Sequence, residues 1–154
     1  MSSAMAYWLM KSEPDVYSID DLERDGREPW DGIRNYQARN FMRDDMRIGD
    51  KAFFYHSNAK EVGIVGTMSI ASEPYPDPTQ FDKKSKYYDP KSNVDDPRWQ
   101  LVDVAFESKL PRIITLAELK AENSLSEMAL VQKGNRLSIM PVTRGQWQAI
   151  VNMV

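Results

Sequence analysis

The chain has no cysteine and a single histidine, His56, and these two absences remove more chemistry than any one motif adds. Without cysteine there is no thiolate nucleophile, no disulfide and no Cys/His zinc site, so the zinc signature of base deaminases cannot be written with these residues. One histidine without a partner beside it does not make a Ser/His/Asp triad, and a lone histidine at a strand end reads as a hydrogen-bonded wall residue. There is also no run of 18 apolar residues and no charged stretch leading into one. Neither a membrane span nor a signal peptide is therefore expected, and the cytoplasm is the expected compartment. A basic excess is missing too: the formal net charge is −3 and the sequence pI is near 5.2. That argues against nucleic-acid binding by broad phosphate neutralisation, so any such binding must be local.

What remains is a chain of 154 residues, 42% hydrophobic, long enough to bury one core as a single domain. Residues 1–4 read as a short disordered lead and 5–154 as the domain. Tyr7 to Met10 reads as a first strand, closed at Ser12-Glu13-Pro14 because proline cannot donate to a ladder. Ser18 with Asp21 forms a capping box for a short helix over Ile19 to Arg24. Asn35 caps a helix whose apolar positions Ala38, Phe41, Met42 and Met46 follow helical spacing. Lys51 to Ser57 and Val62 to Ala71 read as a hairpin, with Gly63 and Gly66 marking close packing or bulges.

The stretch from Glu73 to Asp96 carries four prolines and no apolar period, yet also Tyr75, Phe81, Tyr87 and Tyr88. It is expected to be an ordered lid or pocket wall. Val102, Val104 and Phe106 alternate as a half-buried strand with Trp99 at its start. Thr115 with Glu118 and Thr143 with Gln146 are further capping boxes, Ser126 is read as the cap of another short turn, and Leu137 to Met140 is a short strand. Trp147, Ile150, Val151 and Val154 form the apolar face of the last helix. The class is α+β: a small, strongly curved sheet, able to close into a barrel, with short helices around it.

The densest chemistry lies in Trp30-Asp31-Gly32-Ile33-Arg34-Asn35-Tyr36-Gln37-Ala38-Arg39-Asn40. Trp30 and Tyr36 offer flat apolar faces, Asn35 and Gln37 offer paired donors and acceptors, and Arg34 and Arg39 offer forks that fit phosphate. A nucleobase with its backbone fits that set. The alternative is that Trp30 is half-buried core and Asn35 merely a helix cap. Arg39, Arg43 and Arg47 recur at intervals of four and line one helix face, as a phosphate track or as a solvated surface.

Tyr7 through Pro14, the Trp30–Asn40 segment, Gly49-Asp50 ahead of Tyr55-His56-Ser57, Tyr87-Tyr88-Asp89-Pro90 and Trp99 through Val104 occur in this order. Together they resemble the EVE domain family over Met5 to Val154. The resemblance implies a PUA-like fold, a mixed and mostly antiparallel sheet closing toward a barrel and flanked by short helices. EVE domains are similar to YTH domains, which hold a methylated adenine in an aromatic cage. The kinship implies a reader of modified bases, among them modified cytosines in DNA and modified bases in RNA. With abundant stacking groups and few candidates for chemistry, the chain is expected to bind without catalysis, as a monomer, with no cofactor, no metal and no membrane partner. By position, Trp30 is the implied first cage wall, and the loop from Tyr87 and Tyr88 to Trp99 the source of the others. This loop has tyrosines where YTH domains place tryptophan.

The residues themselves add detail to that implication. Ser12, Asn35, Tyr36, His56 and Ser57 are candidates for contacts to the base, and Lys11, Arg34, Arg39 and Arg43 for contacts to phosphate. Stacking is worth about 1 to 3 kcal/mol per base and hardly distinguishes bases, so selectivity must come from edges. Two other readings stay open. Related ASCH domains include amidohydrolases of modified nucleosides, and Lys11-Ser12-Glu13 sets a nucleophile beside acid and base candidates. A protein-interaction module would instead show an exposed apolar patch rather than a polar-rimmed concavity.

Overall fold

The computed structural model describes residues 5–154, and the lead expected over residues 1–4 lies outside them. Eight strands form among these residues: β1 (Tyr7–Ser12), β2 (Arg27–Pro29), β3 (Lys51–His56), β4 (Gly63–Ile70), β5 (Tyr75–Pro76), β6 (Gln100–Leu101), β7 (Asp103–Thr115) and β8 (Ile139–Val142). Six of them make one curled sheet in the order β2-β7-β4-β3-β1-β8, while β5 and β6 pair separately. Every pairing in the large sheet is antiparallel except β1 with β3. The helices are α1 (Ile19–Asp25), α2 (Tyr36–Asn40), α3 (Leu116–Ala121) and α4 (Arg144–Val151). This is the mixed α+β half-barrel expected of a PUA-like domain.

The central parallel pair is buried on both faces, which is why β1 and β3 read as almost unbroken apolar runs. Trp8, Met10, Ala52 and Phe54 enter one core together with Leu22 of α1, Ala38 of α2 and Trp30. Leu9, Phe53 and Tyr55 enter the other with Leu119 of α3 and Ile150 of α4, and there Phe53 stacks on Trp147 at 3.9 Å between ring centroids. The capping boxes at Ser18, Thr115 and Thr143 all form in both directions. Gly66 is small for packing reasons: a β-carbon there would meet Ile19 Cδ1 at 2.5 Å, and the ladder with β7 shifts register beside it.

Four elements depart from the sequence reading. The strand expected over Leu137 to Met140 is Ile139–Val142, with Pro141 inside it opposite Trp8, because β8 is an edge strand where a missing amide donor is tolerated. β7 runs thirteen residues, far beyond Phe106. Its polar stretch is held to β4 by backbone pairing, which no hydrophobic alternation reports. The helix begun at Asn35 does not stay α-helical; residues Phe41–Asp45 form a π-turn closed by the Met46 amide on the Phe41 carbonyl at 2.9 Å. Ser126 does not begin a turn but ends one: its amide donates to the Asn123 carbonyl at 3.2 Å as the C-cap of Asn123–Leu125, whose N-cap is Glu122.

Candidate functional site

A cavity of about 360 Å³ opens where β1 and β3 end side by side. Ser12 and His56 are register partners in that parallel pair, and the next amide, Ser57 N–H, donates to the Ser12 carbonyl at 3.0 Å. Lys11, Ser12 and Glu13 thus reach the cavity from one strand, Ser57 and Asn58 from the other. Trp30, Asp31 and Gly32 leave β2 to form another wall, and Tyr17, Glu28, Tyr87 and Arg136 also line it.

The Trp30 wall is fixed from behind. Its amide donates to the Val102 carbonyl at 2.9 Å, and its indole, only 6% exposed, meets Phe54 edge-to-face at 5.5 Å. Gly32 turns the chain at φ +81° and donates to Asp77 Oδ2 at 2.8 Å. Asp77 is 1% exposed and also accepts from the Thr79 amide and hydroxyl. Arg34 pairs with the same carboxylate at 3.2 Å. Its remaining donors go to the carbonyls of Ile33 and Tyr87 and to Thr79 Oγ1. The loop carrying Tyr87 is ordered, as expected, and the reason is a buried amide: Gln80 donates to the Asp77 and Trp99 carbonyls and accepts from the Trp99 amide and Ser92 hydroxyl.

Charge around the cavity is mixed. Partial burial raises Glu28 above its ordinary value, helped by Asp31 and Asp25. Desolvation first, then the charge of Asp77, raises Asp31. Burial lowers Lys11, whose ammonium lies 5.5 Å from the Tyr55 ring centroid. Asn58, at φ +48°, donates to the Glu13 carboxylate. The site therefore offers three aromatic side chains, several acceptors and two cations around one concavity.

Of the residues singled out from sequence, Trp30, Ser12, Ser57, Tyr87 and Lys11 meet at this cavity. The others lie elsewhere. His56 Nε2 accepts the amide of Ile19 at 3.1 Å, tying β3 to the start of α1, and burial lowers its pKa. Asn35 caps α2 by accepting the Ala38 amide at 2.9 Å. Trp99 is 5% exposed, donates through Nε1 to Asp89 at 2.8 Å, and stacks against Tyr36. Tyr88 is half-buried and closes a turn on the Ser85 carbonyl. Arg34 is a clamp rather than a phosphate contact, because all five guanidinium donors are engaged inside the protein. Arg39 bonds Asn40 and the Arg98 carbonyl, and Arg43 pairs with its neighbour Asp44. Tyr17, Glu28, Asp31, Asp77 and Arg136 join the site or its supports without standing out in the sequence. Only Asp77 leaves a local signal, as an Asp-Pro pair that caps the short turn Pro78–Phe81.

Among the described residues no helix is long and apolar enough to cross a membrane. The family model of the EVE domain matches residues 6–153. Human thymocyte nuclear protein 1 is 43% identical over 172 residues, covering 99% of this chain and 76% of its own length. A crystal structure of a Pseudomonas syringae protein superposes with a TM-score of 0.94 at 50% identity, covering 96% of this chain and 99% of that one. Human THYN1 protein in complex with 5-methylcytosine-containing DNA superposes with a TM-score of 0.91 at 45% identity, covering 96% of each. An ASCH protein of Zymomonas mobilis shares the fold alone, at 10% identity and a TM-score of 0.55. With the family pattern running from residue 6 to residue 153 and the fold matched over nearly the whole length, this chain belongs to the EVE domain family.

Proposed function

We propose that the cavity receives one modified base turned out of its strand, and that the protein binds it without chemical change. The observation that carries this is the wall: Trp30, Tyr17 and Tyr87 line a single cavity of about 360 Å³. That lies within the roughly 300 to 1,000 Å³ of sites that enclose small ligands. Aromatic faces supply stacking, and the Glu28 and Asp31 carboxylates supply acceptors of the kind that pair with an exocyclic amine such as cytosine N4. Human THYN1 protein, 45% identical, was solved with 5-methylcytosine-containing DNA, which makes that base the first ligand to test. Lys11 and Arg136 stand at the cavity as the cations nearest to a flipped nucleotide's phosphates. On this reading the protein acts as a monomer, in the cytoplasm, on RNA or DNA.

A hydrolase is less well supported by the same geometry. The Ser12 hydroxyl donates to the Tyr17 carbonyl at 2.6 Å, so no base holds its proton. The chain's single histidine is occupied with the Ile19 amide. The likeness to the ASCH protein, at 10% identity, is one of fold.

Equilibrium binding of matched oligonucleotides that differ only by 5-methylcytosine in place of cytosine tests the reading. A methyl group filling an apolar notch gives on the order of 10-fold preference. Trp30→Ala should abolish it. Equal affinity for both strands across a panel of modified bases, unchanged in Trp30→Ala, contradicts the proposal.

A further inference from the structure

Outside the cavity the molecule carries a second aromatic surface. Tyr36, the first residue of α2, is 52% exposed, which is unusual for so large a ring on this protein. It is held rigidly nonetheless. Its inner face lies on the buried Trp99 ring, 4.8 Å between centroids and 20° from parallel. The Arg39 guanidinium is 4.7 Å from the Tyr36 centroid and 5.9 Å from that of Trp99. Those three distances close a compact triangle, so Arg39 sits beside the stack and the outer face of Tyr36 is left to solvent. Arg43, one helical turn further on, adds an exposed cation near Arg39.

The surface lies close to the cavity, linked to it through the protein by the Arg34 clamp. The Arg34 guanidinium lies 5.6 Å from the Tyr87 ring, which lines the cavity, and 5.3 Å from the Trp99 ring, which supports Tyr36. A path of three such contacts is a few nucleotides long at about 3.4 Å per stacked nucleotide. Flat aromatic platforms edged by arginine are how proteins hold single-stranded bases without reading them, since every base has a π-face and the backbone is anionic.

We propose that the outer face of Tyr36 is a second binding site, a stacking platform for an unmodified base a few nucleotides from the one in the cavity, on the same strand. The inference rests on the cavity being the site of the flipped base, and it adds a distinct role. The cavity reads one base, while Tyr36 on Trp99 sets the path of the strand and contributes affinity without selectivity. Arg39, beside the stack, is the cation that meets the backbone of the base on Tyr36.

The test uses single strands with one 5-methylcytosine and the fluorescent base 2-aminopurine at each neighbouring position in turn. Wild-type protein should quench 2-aminopurine at one or two positions on one side only. Tyr36→Leu should abolish that quenching and weaken strand binding about 5- to 100-fold, with affinity for free 5-methyldeoxycytidine unchanged. Tyr36→Phe, which keeps the ring, should restore both. Uniform quenching in the wild type, or wild-type strand affinity in Tyr36→Leu, overturns the platform. Trp30→Ala separates the two ideas: if it leaves methyl preference intact, the cavity reading fails, whereas loss of position-specific quenching in Tyr36→Leu belongs to the platform alone.

Discussion

The ring of Tyr87 stands where a side chain on residue 32 would begin: a β-carbon built on Gly32 would lie 2.6 Å from Tyr87 Cζ. Gly32 also holds φ at +81°, a conformation that costs other residues about 1 kcal/mol or more. Gly32→Ala should therefore both destabilise the fold and push Tyr87 away from the cavity. Gly26→Ala is the matched control, since Gly26 has φ +77° and open space around its β-position. Both variants should melt at lower temperature, and only Gly32→Ala should lose affinity for the modified strand.

Asp77 and Arg34 hold that turn as a pair in which Asp77 is buried, 1% exposed, and Arg34 half-buried, 23% exposed at the side chain. Removing Asp77 leaves the Arg34 charge and the Gly32 and Thr79 donors without their acceptor and costs about 1 to 3 kcal/mol. Asp77→Ala should unfold at correspondingly lower denaturant concentration, which a urea titration measures directly.

Phosphate contacts separate by salt dependence. Arg136 lines the cavity, whereas Arg34 is saturated within the protein. Arg136→Ala should flatten the log–log salt slope of strand binding by about 0.7 to 0.9, the signature of one lost phosphate contact. Arg34→Ala should leave the slope unchanged while lowering stability.

His56 gives the fold a defined acid sensitivity. Its Nε2 must be unprotonated to accept the Ile19 amide, and burial sets its folded pKa below the ordinary 6.5. As pH falls through about 6.5 the unfolded chain takes the proton first, so stability falls with it and levels off below the folded value. The difference in melting temperature between wild type and His56→Asn should shrink from pH 7.5 to pH 5. A constant difference contradicts this account.

How much of the structure is legible in the sequence depends on whether a feature is local. The capping boxes at Ser18, Thr115 and Thr143 depend on residues three apart, and each can be read directly. The two-faced burial of β1 and β3 shows as continuous apolar runs. Trp30, Ser12, Ser57 and Tyr87 can be assigned to one site from aromatic and polar composition and from the family resemblance. Asp77 and Arg136 cannot, because a lone charged residue in a loop looks the same in sequence whether it faces solvent or, like Asp77, is buried under the turn at Gly32. Trp99 and Tyr36 look like base contacts beside Trp30, yet they face each other outside the cavity. Sequence shows that aromatics cluster and does not show which faces are already taken.

The central claim, that this cavity selects a modified base, is tested most directly by what the protein holds in cells. Nucleic acid recovered with tagged wild-type protein and with Trp30→Ala should be digested to nucleosides and quantified by mass spectrometry. The account predicts enrichment of one intact modified nucleoside, 5-methyldeoxycytidine or another, with the wild type and its loss with Trp30→Ala. Recovery of the same nucleoside profile from both proteins, or of a modified base converted to its unmodified product by the wild type, would contradict it.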